Sequence, residues 1–78
     1  MKEETFDVED CEVIRETEKG LLIKSKDFEG NLEKVGKDEL WIPRSQICEG
    51  GDITEESEVG DSGSLIITGW LAAEKGLM

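Results

Sequence analysis

The apolar residues of this chain fall in short, β-branched clusters that are separated by polar stretches and glycines. Residues 10–15 and 21–26 each centre on such a cluster, and we predict a strand at both places. A short polar loop, residues 16–20, joins them and ends in Gly20. Because glycine takes a positive φ at no steric cost, this loop predicts a hairpin with a bulge.

The next stretch, residues 27–37, is polar and has turn signals at Gly30 and Gly36. Leu32 and Val35 fit either a short turn with one buried face or a second, weaker hairpin. The sequence leaves both arrangements open.

Residues 39–43 are aromatic and β-branched, which predicts a third strand. Pro43 has no N–H to donate to a ladder, so it ends this strand or places it at a sheet edge. Residues 45–47 should then turn the corner, with Ile47 packing inward.

The last third of the chain begins with an acidic, glycine-rich loop at residues 49–61. Residues 64–67 are apolar and β-branched and predict a fourth strand. A short helix should follow at residues 69–75. Thr68 is its predicted N-cap, and Gly76 closes it in the left-handed conformation, with the following leucine folding back onto the helix.

Four short strands with mostly local connections predict a mainly β fold. We expect a small curled antiparallel sheet, or an SH3-like or OB-like barrel, plugged by the short C-terminal helix. Residues 1–7 are predicted to form a frayed, acidic N-terminus, and residues 8–78 a single small domain. Trp41 and Trp70 are both predicted to fill the core. The buried side of the helix is predicted to comprise Trp70 with Leu71 or Ala73.

The net charge excludes more classes of function than the pattern of apolar and polar residues does. The chain has 20 acidic and 9 basic side chains, no histidine, and a formal net charge of −11. Such a surface repels nucleic-acid phosphates and anionic lipid headgroups, and it attracts basic partners. No apolar run approaches the about 20 residues of a membrane helix, and the first residues lack the apolar stretch of a secretory signal. We therefore predict a cytosolic protein with no membrane partner.

No catalytic constellation is visible in the sequence. The string Gly60-Asp61-Ser62-Gly63 copies the surroundings of the nucleophile in chymotrypsin-like proteases, but the chain has no histidine to serve as the base, and a turn explains the glycines. Cys11 and Cys48 are too few for a four-ligand zinc site. Buried free thiols fit a cytosolic setting, although pairing of the first and third strands would leave a disulfide open. We predict that the protein is not an enzyme and has no cofactor or metal.

The densest acidic segment is the predicted partner-binding site, because it holds six carboxylates and no lysine or arginine. These residues are Glu49, Asp52, Glu55, Glu56, Glu58 and Asp61. Three alternatives stay open: acidity that only confers solubility, calcium binding without the EF-hand pattern by Asp52, Thr54, Glu56, Glu58 and Asp61, or a plain structural or oligomerisation domain. A fourth is single-stranded DNA binding, by the tryptophans and a basic face. That face would comprise Lys24, Lys26, Lys34, Lys37 and Arg44.

Two segments carry a family resemblance. Leu40-Trp41-Ile42-Pro43-Arg44-Ser45-Gln46-Ile47 and the closing Gly69-Trp70-Leu71-Ala72-Ala73-Glu74-Lys75-Gly76-Leu77 resemble small proteins common in bacteriophage and bacterial genomes. Those proteins pair a W-I-P-K/R-S-x-I segment with a terminal W-L-A-x-x-K-G-L. Gly20-Leu21-Leu22-Ile23 is similar to the strand before the first segment. Gly69 replaces the acidic residue expected there, and the long insert at residues 24–38 is atypical.

The resemblance implies a compact β domain in a phage or prophage setting and brings no catalytic activity with it. In that setting small acidic proteins act as decoys or inhibitors of host defence machinery, anti-CRISPR proteins among them. We therefore expect an acidic binding protein that occupies a basic, nucleic-acid-handling protein by imitating DNA. The alternative is an accessory module of phage recombination or replication, which binds single-stranded DNA or its binding proteins.

Overall fold

The strands are β1 (Thr5–Glu16), β2 (Gly20–Lys24), β3 (Glu39–Pro43) and β4 (Ser62–Thr68), and one short helix, α1 (Gly69–Glu74), follows β4. The computed structural model describes residues 4–28 and 38–77. Within these two ranges the four strands form one open, curled, antiparallel sheet in the order β3-β2-β1-β4. The predicted mainly β fold is confirmed, as an open sheet and not as a barrel. The alternatives weighed for Leu32 and Val35 lie outside the described residues.

The central strand, β1, curls the sheet. It pairs with β4 through residues 5–12 and with β2 through residues 12–16. The register shifts once between Val8 and Cys11 and again between Val13 and Arg15, and Asp10 between the first pair has a φ of 53°. Because bulges bend a strand and increase its twist, one strand can serve both halves of the sheet. β1 also begins earlier than predicted, since residues 5–7 pair with β4.

The predicted hairpin between β1 and β2 is present, but the reason given for its glycine is wrong. Only residues 17–19 link the two strands, and the Thr17 N–H donates to the Gly20 carbonyl over 2.9 Å. Gly20 lies inside β2, opposite Pro43, and is not among the glycines with positive φ. A Cβ at this position would lie 3.1 Å from the Ile42 carbonyl oxygen. Glycine is therefore used here for the close approach of β3.

The ends of α1 confirm the capping prediction. The Thr68 hydroxyl accepts the Leu71 N–H over 3.2 Å, and Gly76 has a φ of 78°. The Leu77 N–H donates back to the Ala72 carbonyl over 2.8 Å. These contacts satisfy backbone groups that a helix end leaves open.

The predicted buried side of α1 is right for Leu71 and wrong for Trp70. Leu71 and Ala72 are buried, whereas the Trp70 side chain is 64 % exposed and Ala73 is exposed. A helix of six residues has too few turns for its periodicity to identify a face. The direction in which β4 enters α1 determines which side of the helix faces the core. The helix start lies against the N-terminal segment, because the Gly69 N–H donates to the Glu4 carbonyl over 2.8 Å.

The core forms one cluster on the inner face of the sheet, closed by α1 and by Ile53 from the acidic loop. Its largest member, Phe28, is fully buried, although it lies in a stretch that the sequence suggested was polar. Cys11 is buried and Cys48 is half-buried, and no disulfide joins the two. The strand pairing that would favour a disulfide is absent in the described sheet, since β2 lies between β1 and β3.

Candidate protein-binding surface

The acidic loop, residues 49–61, is hydrogen-bonded along the edge of β4 that lies away from β1. The Cys48 N–H donates to the Ile66 carbonyl over 2.7 Å just before the loop, and the Ile53 N–H donates to the Ser64 carbonyl over 2.9 Å. Ile53 also forms a parallel bridge with Leu65 and is fully buried. The loop therefore has an apolar anchor in the core, and its acidic side chains project from a fixed backbone.

Two consecutive turns shape the second half of this loop. In the first, the Ser57 N–H donates to the Thr54 carbonyl over 3.0 Å while the Ser57 hydroxyl accepts the Thr54 N–H over 2.8 Å. In the second, the Asp61 N–H donates to the Glu58 carbonyl over 3.0 Å and the Asp61 carboxylate accepts the Glu58 N–H over 2.9 Å. Side chains that bond to nearby backbone in this way stabilise turns. Asp61 is thus part of the loop's framework.

Asp52 has a structural task as well. Its Oδ2 accepts the Ser64 N–H over 3.0 Å and lies 3.3 Å from the Ser64 hydroxyl, which itself lies 3.2 Å from the Asp52 N–H. Neighbouring Gly63 has a φ of 130°, and a Cβ there would collide with the Asp52 side chain. Glycine at position 63 therefore makes room for the carboxylate that fastens the loop to β4.

The structure divides the six predicted acids into two groups. All six belong to exposed residues. The side chains of Asp52 and Asp61 accept backbone hydrogen bonds within the framework. The other four are exposed, and their carboxylates accept no hydrogen bond from a described residue; these are Glu49, Glu55, Glu56 and Glu58.

A groove of about 230 Å³ lies between the start of the loop and its first turn. Glu49, Glu55 and Glu56 line it together with Ile47, Thr54 and the half-buried Cys48. Three carboxylates over a partly apolar floor suit the ammonium or guanidinium end of a long basic side chain, whose stem is apolar.

Arg44 joins this loop to the β1–β2 turn. Its Nη1 donates to the Glu55 carbonyl over 2.6 Å, and its Nε and Nη2 donate to the Thr17 carbonyl over 3.0 and 2.9 Å. Its own N–H donates to the Lys19 carbonyl over 2.9 Å. In the basic face considered for nucleic acid, Arg44 keeps its charge, but three of its guanidinium N–H groups are bonded to main-chain oxygens. Lys34 and Lys37 of that face lie outside the described residues.

The acidic surface continues from the loop onto β1, which the sequence did not reveal. The Glu16 Oε2 accepts the Val59 N–H over 2.9 Å, and the Gly60 N–H donates to the Val13 carbonyl over 3.0 Å. Glu12, also exposed, pairs with Ser62 at the start of β4. Glu16 and Val59 are 43 residues apart along the chain, so no local pattern could have placed Glu16 beside the loop.

Across residues 4–28 and 38–77, no three metal-binding side chains come together. The protease-like string contains two positive-φ glycines, Gly60 at 100° and Gly63 at 130°, around the turn that starts β4. In the same ranges, no helix is long and apolar enough to cross a membrane.

Comparison of the chain with protein families, with curated proteins and with solved structures finds no match. The resemblance to small phage proteins therefore stays a prediction from the two quoted segments. The properties of this surface are those that its own residues supply.

Proposed function

We propose that this protein is a non-enzymatic, acidic binding protein that occupies a basic surface of a nucleic-acid-handling protein. One observation carries the proposal. Glu49, Glu55, Glu56 and Glu58 are held on a loop whose backbone is fastened to β4, to Arg44 and to β1. A fixed backbone lowers the entropy that these side chains lose on binding, so they are preorganised for a cationic partner. In the phage setting that the resemblance implies, such a protein would act in the host cytoplasm as an inhibitor or decoy of defence machinery.

The size of the molecule fits imitation of DNA. The described residues span 34 × 26 × 22 Å. Duplex DNA carries one phosphate charge per about 1.7 Å, so about 20 charges lie along a length equal to the longest axis. Of the chain's 20 acidic side chains, 17 lie in these residues, where six of the nine cations partly offset them. Its charge density is therefore of the order needed to enter a groove built for a duplex.

The test replaces the three glutamates of the two turns by glutamine, as E55Q/E56Q/E58Q. Tagged wild-type protein should capture basic, nucleic-acid-binding proteins from a bacterial lysate, and added duplex DNA should displace them. The triple variant should lose at least tenfold in affinity for the captured partner, with a shallower salt dependence and a melting temperature no lower than that of the wild type.

A matched control changes the same number of charges at the far end of β1. The variant E4Q/D7N/E9Q alters three exposed residues beside α1 and the β4 terminus. If net charge alone mattered, both triple variants would weaken the complex equally. Equal losses, or no loss in the loop variant, would remove the loop as the binding element.

A second candidate function is single-stranded DNA binding in phage recombination or replication. Exposure of Trp70 favours it, since a solvent-facing indole can stack on an unpaired base. The −11 charge opposes it. A mobility-shift assay at low salt separates the two candidates. Tight retention of single strands that is lost in Trp70→Ala would support the accessory module.

A further inference from the structure

An apolar groove of about 480 Å³ lies on the outer face of the sheet, beside the acidic loop. Ile14 and Trp41 form its half-buried walls, and Val59 is one of two large apolar side chains that are strongly exposed in the described residues, at 54 %. Its polar rim is Arg15, Glu16 and Thr17.

The sheet register explains why apolar residues lie on this face. Trp41 pairs directly with Leu22, and directly paired residues share a face. Leu22 is buried to 3 % exposure, yet it is not part of the inner core cluster. Its neighbours Leu21 and Ile23 point to the inner core instead. Leu22 and Trp41 therefore belong to a second apolar layer on the outer face, into which the groove is cut.

The groove and the acidic loop form one continuous surface. Val59 lies in the loop between its two last acids in sequence, Glu58 and Asp61, and its N–H donates to the Glu16 carboxylate. The carbonyl of Thr17, on the rim, accepts a hydrogen bond from the Arg44 guanidinium, which also donates to the Glu55 carbonyl. A segment that lay along this surface would meet carboxylates and an apolar pocket in succession.

Charge selects the occupant of this groove. A second copy of the chain would bring another −11 charge to an acidic face, and the repulsion opposes self-association. The one cation of the rim, Arg15, lies beside Glu16 in sequence. A cationic partner is attracted to the same surface that repels a second copy of the chain.

We propose that the groove takes an apolar side chain from a basic segment of the partner while the acidic loop takes its cations. The inference rests on the proposed function and extends it by naming the second half of the contact. A buried apolar anchor surrounded by polar contacts is the usual source of affinity at protein interfaces. Charge brings the partner to the loop, and the groove selects those basic segments that carry an apolar residue.

The experiment compares two synthetic peptides of equal charge: a lysine-rich peptide with one central leucine, and the same peptide with serine in its place. The protein used is the full chain carrying Trp70→Phe, so that Trp41 is its only tryptophan. At physiological salt the leucine peptide should bind about tenfold more tightly and should shift the Trp41 fluorescence. The serine peptide should leave the Trp41 emission unchanged.

Val59→Ser should abolish the difference between the two peptides. Its side chain is exposed, so the fold should survive the change. Ile14→Thr keeps a β-branched residue in β1 and should act in the same direction. The control replaces the other exposed apolar side chain, in Trp70→Ser, and should retain the tenfold difference, read from binding of a labelled peptide.

The outcomes separate this inference from the proposed function. If both peptides bind equally and E55Q/E56Q/E58Q loses this binding, the groove has no part in the contact and the acidic loop is the binding element. A leucine preference that is unaffected by the triple variant would overturn the loop and leave the groove. Binding of neither peptide would overturn both. A concentration-dependent dimer on sizing chromatography that becomes a monomer in Val59→Ser would show that the groove is a dimer interface. That result would refute a basic partner at this place.

Discussion

The division of the loop acids into framework and free residues makes a direct prediction for Asp52→Ala. The substitution removes the carboxylate oxygen that accepts the Ser64 N–H at 3.0 Å and lies 3.3 Å from its hydroxyl. It also leaves an unfilled volume beside Gly63, whose missing Cβ makes room for that carboxylate. The connection between the acidic loop and β4 should therefore weaken at this point.

The magnitude follows from those two contacts. Hydrogen bonds to a charged group contribute about 1.5–3 kcal/mol each when shielded from water. Asp52 and its contacts are exposed, so solvent reduces that contribution. We expect a loss of about 1–2 kcal/mol in the free energy of unfolding. For a domain of this size, this lowers the melting temperature by about 4–16 °C.

The matched control is Glu56→Ala, which removes one negative charge from the same loop. The Glu56 side chain is exposed and accepts no hydrogen bond from a described residue. Relief of repulsion is therefore similar in both variants, and the difference between them isolates the Asp52 contacts. Glu56→Ala should stay within about 0.5 kcal/mol of wild type.

The assay is thermal unfolding by circular dichroism, together with urea unfolding to confirm that the denaturant slope is unchanged. Asp52→Asn keeps one oxygen acceptor but loses the charge, and should fall between wild type and the alanine variant. A melting temperature in Asp52→Ala equal to that of Glu56→Ala would refute the framework assignment of Asp52.

Three further measurements test the fold and its charge. Gly63→Ala should destabilise by clearly more than Gly60→Ala, because both have positive φ but only a Cβ at position 63 meets the Asp52 side chain; equal losses would contradict this. Leu71→Ala should cost about 2–4 kcal/mol and Trp70→Ala less than about 1 kcal/mol, which denaturant unfolding would detect and a reversed order would refute. The melting temperature should rise between about 0.01 M and 0.15 M salt, as the screening length falls from about 30 Å to about 8 Å; a steady fall would show that repulsion among the acids does not limit stability.

The strands could be predicted from the sequence because each one carries its own apolar cluster and ends at a glycine, a proline or a polar turn. The helix caps could also be predicted, since Thr68 and Gly76 act on backbone groups only a few residues away. The bulges in β1 could not. They arise because β1 pairs with both β2 and β4. No residue near Asp10 in the sequence indicates this double pairing.

The role of each acid was hidden for a similar reason. Asp52 is distinguished from Glu56 by its contact with Ser64, which is 12 residues away in the chain and lies in β4. Composition identified the acidic segment, and it could not separate a carboxylate that fastens the loop from one that faces solvent. The exposure of Trp70 was equally out of reach, because a tryptophan in an apolar cluster normally predicts core.

The two segments that carry the phage resemblance consist mostly of residues that build the fold. Ile42 and Ile47 are buried, Arg44 ties the β1–β2 turn to the acidic loop, and Gly76 closes α1. The tryptophans of the segments are the exception, since Trp41 is half-buried in the outer groove and Trp70 is largely exposed. Both indoles therefore lie outside the inner core, Trp41 in the outer apolar layer with Leu22 and Trp70 at the surface.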